Sequence, residues 1–114
     1  MPYIEAKFSC PVSQDKVIKL KSSFGKAIEC IPGKNEGWLM VNIEDKKPLF
    51  FKGNADGDSA FISVAILGSA TRDAYDALTR ELTSIVSDIT GVNPDRIYIS
   101  YREALVWGWN GSNF

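Results

Sequence analysis

The chain has 114 residues, 45% apolar and 24% charged, an ordinary globular mix for one small domain. Its 13 basic and 14 acidic side chains leave a net charge of −1, which offers no electrostatic pull toward nucleic acid or an anionic membrane. There is no histidine, so a metal site is not expected and no cofactor is implied. Any acid–base chemistry then falls to carboxylates, lysine, tyrosine, cysteine or a terminal amine.

Residues 2–9 alternate, with Ile4, Ala6 and Phe8 on one side and Tyr3, Glu5 and Lys7 on the other, which predicts a half-buried strand. This opening has no secretory apolar region, and no apolar run reaches the roughly 18 residues of a membrane span, so the expected location is the cytosol. Pro11 ends the strand. Ser13 is a candidate N-cap for a helix carrying Val17, Leu20, Phe24, Ala27, Ile28 and Ile31, stopped by Pro32-Gly33. Residues 38–43, WLMVNI, read as a buried strand, 44–48 as a charged turn, 49–51 as a further short strand and 53–58 as a turn. Residues 59–67, SAFISVAIL, form a long apolar strand ended by Gly68. Ser69 or Thr71 can cap a second helix with a stripe of Ala74, Leu78, Leu82, Ile85 and Ile89 and a stop at Gly91. Residues 96–101, RIYISY, alternate as a strand, 105–109 read as one more, and NGSNF remains as a tail.

The predicted class is α/β (α+β): two β-α-β repeats, parallel within each half, giving a four-stranded sheet with two helices on one face. WLMVNI and AFISVAIL read as apolar on both sides, so the uncovered face is expected to need a partner copy. Cys10 and Cys30 lie far apart in the chain and read as reduced thiols.

The start MPYI, the Pro32-Gly33-Lys34 turn, the strand end AILG, the segment NPDRIYISY and the tail GWNGSNF occur in order along the whole chain. Together they resemble the macrophage migration inhibitory factor family of the tautomerase superfamily. The resemblance implies a homotrimer with active sites between subunits, and tautomerisation of a small aromatic 2-oxo acid or a dopachrome-like compound. It also carries an alternative, a cytokine-like protein that binds a host receptor, with secretion despite the absence of a signal peptide. Decarboxylation or dehalogenation on the same scaffold ranks last, because no arginine falls at a position assignable to the pocket.

Residue by residue, the resemblance makes Pro2 the catalytic base once Met1 is removed. A secondary amine in an apolar pocket, with Lys34 near it, is driven toward its neutral form and can take a proton alpha to a carbonyl. Lys34 is implied to hold the substrate carboxylate, and Leu67 to act through its backbone. Tyr98 is implied to reach a neighbouring subunit's pocket. Ser100 stands where the best-known members carry Asn, so its substrate contact is shortened. Trp38, Trp107 and Phe114 are expected to line the pocket, narrowing it, and Trp109 reads equally as packing or as substrate contact. Ser59-Ala60-Phe61-Ile62 replaces the Cys-x-x-Cys of some relatives, which leaves no residues for thiol–disulfide chemistry.

Overall fold

The computed structural model describes residues 1–114. The elements run β1 (Pro2–Phe8), α1 (Gln14–Ala27), β2 (Met40–Glu44), β3 (Ala60–Leu67), α2 (Arg72–Thr90), β4 (Ile97–Ala104) and a terminal pair, β5 (Gly108–Trp109) and β6 (Ser112–Asn113). The four long strands form one sheet in the order β2-β1-β3-β4. β1 pairs in parallel with β2, β3 in parallel with β4, and the two halves join through the antiparallel β1–β3 ladder. This is the predicted pair of β-α-β units.

Capping follows the chain's own signals. The Ser13 hydroxyl accepts from the Lys16 amide at 3.4 Å, and the Thr71 hydroxyl from the Ala74 amide at 3.1 Å, each satisfying a free N–H of a first helical turn. Gly91 closes α2 at φ +80°, a left-handed conformation that suits glycine. α1 is shorter than its apolar pattern predicts. It ends at Ala27 and tightens into a 3-10 turn over Ile28–Cys30, leaving Pro32-Gly33 in the loop beyond.

Both helices cover one face of the sheet. Ile4, Ala6 and Phe8 of β1 and Ile62, Val64 and Ile66 of β3 meet Leu20, Phe24 and Ile28 below α1 and Leu78, Leu82 and Val86 below α2, all of them buried. Each large apolar side chain buried in this way contributes about 1.5–3 kcal/mol. Val86 joins the stripe of α2, and the predicted Ile85 and Ile89 sit at its half-buried flanks.

The opposite face corrects an expectation. WLMVNI is not one strand: Trp38 belongs to a 3-10 turn over Glu36–Trp38, and β2 begins at Met40. Asn42 and Glu44 then lie beside Glu5 and Lys7, with Ser63 and Ser100 in register across β3 and β4. The uncovered face is therefore largely polar along its middle, and hydrophobic burial over the whole face is not what would recruit a partner. Exposed apolar side chains gather instead at its two ends, Phe50, Phe61 and Tyr98 at one and Trp38, Met40 and Trp109 at the other.

Two further segments differ from the sequence reading. Residues 49–51 form no strand; only a bridge between Phe51 and Asn54 is present. The loop is held from β4's side by Arg96, whose Nε donates to the Asp58 carbonyl at 3.1 Å and to Ser59 Oγ at 3.0 Å, and whose Nη2 donates to the Asn54 carbonyl at 3.2 Å. The tail is a hairpin, with β5 and β6 joined through Asn110 (φ +50°) and Gly111 (φ +81°), the two left-handed residues that a two-residue hairpin turn requires. No helix is long and apolar enough to cross a membrane.

Candidate active site

Pro2 is buried at the start of β1, paired with Ile66 of β3. It opens onto a cavity of about 560 Å³, lined by Met1, Tyr3, Gly37, Trp38, Leu39, Met40, Trp107, Gly108 and Trp109 as well. β1 brings Pro2, the 3-10 turn before β2 brings Trp38, and the terminal hairpin brings Trp107 and Trp109. Trp38 meets Trp109 edge to face, with centroids 5.2 Å apart, and the Phe114 ring lies 6.2 Å beyond Trp109. The Phe114 amide donates to the Trp107 carbonyl at 2.9 Å, which folds the chain terminus back onto this wall. Trp109, with two readings open in the sequence, is the ring that joins Trp38 to Phe114.

The polar side of the site is short and specific. Lys34 Nζ donates to the Leu67 carbonyl at 3.0 Å, and the Leu67 amide donates to the Met1 carbonyl at 3.1 Å. Lys34, the end of β3 and the start of β1 therefore converge. The terminal amine feels this directly. Its pKa is lowered, first by burial and then by the hydrogen bond and positive charge of Lys34. In the chain with Met1 in place that amine is Met1's, and the Pro2 nitrogen is an amide.

Tyr98 and Ser100 are not brought to Pro2 within the chain. Tyr98 pairs with Phe61, and Pro2 with Ile66, so five residues of β3 separate their levels in the sheet. At strand rise that is roughly 16 Å. Tyr98 is 59% exposed and packs against Phe51 and Phe61, with centroids 5.2 and 6.4 Å away. Ser100 lies between, opposite Ser63. Tyr3, Leu39 and Met40 line the cavity without having been singled out in the sequence. Tyr3 and Met40 face each other across the β1–β2 ladder, a pairing that strand register reveals and residue type does not.

Tyr75, Cys10 and Cys30 do not line this cavity. Tyr75 donates to Glu103 Oε2 at 2.6 Å, and its pKa is pushed up to about 12, first by burial and then by that carboxylate, so it stays a fixed donor between α2 and β4. Cys10 and Cys30 are free thiols whose pKa values are both raised, chiefly by burial, which makes them poor nucleophiles.

A family model for macrophage migration inhibitory factor (MIF) matches residues 1–114. The chain belongs to the macrophage migration inhibitory factor family. Macrophage migration inhibitory factor of Meriones unguiculatus is 31% identical over 86 residues, 72% of each chain. MIF2 from Leishmania major superposes with a TM-score of 0.92 at 26% identity, over 100% of this chain and 97% of the other. A macrophage migration inhibitory factor homologue from Prochlorococcus marinus gives a TM-score of 0.81, also at 26% identity and over 98% of both chains. The family agrees with the order of segments read from the sequence, and the two-helix, four-stranded fold matches its solved structures.

Proposed function

We propose that the protein is a keto–enol tautomerase acting on a small aromatic 2-oxo acid of the phenylpyruvate type, with the free amine of Pro2 as its general base. The observation that carries this reading is the convergence of the terminal amine's surroundings, Lys34 and the Leu67 backbone beside an aromatic cavity of about 560 Å³. With Met1 gone, the terminal amine is that of Pro2, a buried residue next to the Met1 position, where burial and Lys34 lower an amine's pKa. A neutral amine takes the C3 proton of the keto acid. The enolate charge that develops faces the Lys34 ammonium, and the proton returns to oxygen to complete the enol. The reverse sequence ketonises the enol. Trp38, Trp107 and Trp109 receive the aryl group, with Phe114 behind Trp109.

Tyr98 and Ser100 enter this scheme only from a second copy, since their own Pro2 lies at the other end of the sheet. A homotrimer that places each Tyr98 end against a neighbouring Pro2 cavity would bury the two exposed aromatic ends together and bring a phenol hydroxyl to the substrate.

The test is ketonisation of enol-phenylpyruvate by Met1-free protein across pH. The base must be neutral in the free enzyme, so kcat/KM should rise with pH through one ionisation and then level off. Its midpoint should fall below the usual α-amine range of about 7.7–8.0. No turnover, or a rate that falls as pH rises through that window, would rule the assignment out.

A further inference from the structure

We infer that Asn35 is a positioning residue: it fixes the turn that leads from Lys34 to Trp38 at the cavity. The inference rests on the proposed tautomerase site, since it concerns how that site's aromatic wall is held.

Lys34 and Trp38 supply different things, a cation and an aromatic wall, yet only three residues separate them, Asn35-Glu36-Gly37. The backbone alone holds this turn weakly. The Trp38 amide reaches the Asn35 carbonyl at 3.4 Å, near the limit of a useful hydrogen bond. The side chain makes the shorter contact: Asn35 Oδ1 accepts from the Gly37 amide at 2.8 Å, a local side-chain turn that fixes the peptide leading into Trp38.

Two glycines make room for this arrangement. A Cβ on Gly37 would lie 2.9 Å from Asn35 Oδ1, so any other residue there displaces the very atom that holds the turn. Gly25 sits buried inside α1, where glycine is a poor helix former. A Cβ at Gly25 would collide with the Glu36 carboxylate, which occupies that space. The glycine thus leaves room for the exposed side chain of Glu36 to lie against α1. Upstream, the Lys34 amide donates to the Ile31 carbonyl at 3.1 Å; downstream, the Leu39 amide donates to the Glu36 carbonyl at 3.1 Å. Between those two bonds, Asn35 Oδ1 is the short contact.

Asn35 Oδ1 holds the peptide that enters Trp38, the aryl-binding wall, while Lys34 keeps its own bond to the Leu67 carbonyl. Loosening the turn should therefore weaken substrate capture more than chemistry. Asn35→Ala is expected to raise KM for enol-phenylpyruvate roughly 3- to 10-fold, with kcat within about 2-fold of wild type. Asn35→Ser keeps an acceptor able to reach the same amide and should recover most of the loss.

Tryptophan fluorescence with 3-phenylpropanoate, an unreactive carboxylate, is read alongside the kinetics, on Met1-free protein whose melting temperature is recorded. A wild type that binds this acid but never turns over substrate sinks the tautomerase reading and leaves the turn testable by affinity. Unchanged KM and affinity in Asn35→Ala overturn the positioning role. So does a loss of kcat in step with melting temperature, or a Ser variant no better than the Ala variant.

Discussion

Pro2→Gly is expected to lower kcat for enol-phenylpyruvate by about 10²–10⁴-fold, the usual contribution of a positioned general base. Glycine leaves a primary amine at the new terminus, so the variant is not stripped of a base. It loses the ring that locks rotation about the N–Cα bond and with it the preset direction of the lone pair. It also loses part of the apolar bulk that keeps water from the amine. The rate should therefore collapse while the aryl-binding wall of Trp38, Trp107 and Trp109, which Pro2 only adjoins, keeps its affinity for an unreactive aromatic acid. Stopped-flow or steady-state ketonisation beside a fluorescence titration separates the two effects. An equal loss of binding and rate would mean that Pro2 supports the cavity rather than the chemistry.

Lys34→Ala should lower kcat/KM by about 10–100-fold, corresponding to loss of a charge-assisted bond of about 1.5–3 kcal/mol. Lys34 has a second effect that a purely structural lysine would lack. Its positive charge disfavours the charged form of the terminal amine, so removing it should let that pKa rise. The pH profile of the variant is then displaced to higher pH, by less than the full depression, because burial is the larger cause and remains. Activity would fall most at the acidic end of the profile. A uniform loss at every pH would show that Lys34 contacts substrate without tuning the amine.

Much of this was readable from residue pattern because local rules and the fold agree. Alternation in β1, the Ser13 and Thr71 caps and the Gly91 stop each lead directly to the element observed. The failures have physical causes. Trp38 and Leu39 extend the apolar run of β2, and only the Asn35 turn shows that they stand outside the strand. Polarity of the open face depends on register: Ser63 is opposite Glu5 on one side and Ser100 on the other, and no single strand displays that row. The hairpin of β5 and β6 was within reach, since Asn110-Gly111 between Trp109 and Ser112 is a strong turn signal. At the site, Pro2, Trp38 and Trp107 meet at one cavity, and Lys34 bonds Leu67 beside it. The distance from Tyr98 to Pro2 follows instead from β3 running antiparallel to β1 and parallel to β4, a choice that residue types alone do not make.

The central claim is that the nitrogen of Pro2 acts as a free amine, and one comparison addresses it without changing any side chain of the site. The same chain is prepared with Met1 retained and with Met1 removed, each form verified by intact mass, and both are assayed for ketonisation of enol-phenylpyruvate. With Met1 in place the Pro2 nitrogen is an amide without a basic lone pair, so the retained form should show less than about 1% of the rate of the processed form. Equal rates in the two forms would contradict the account.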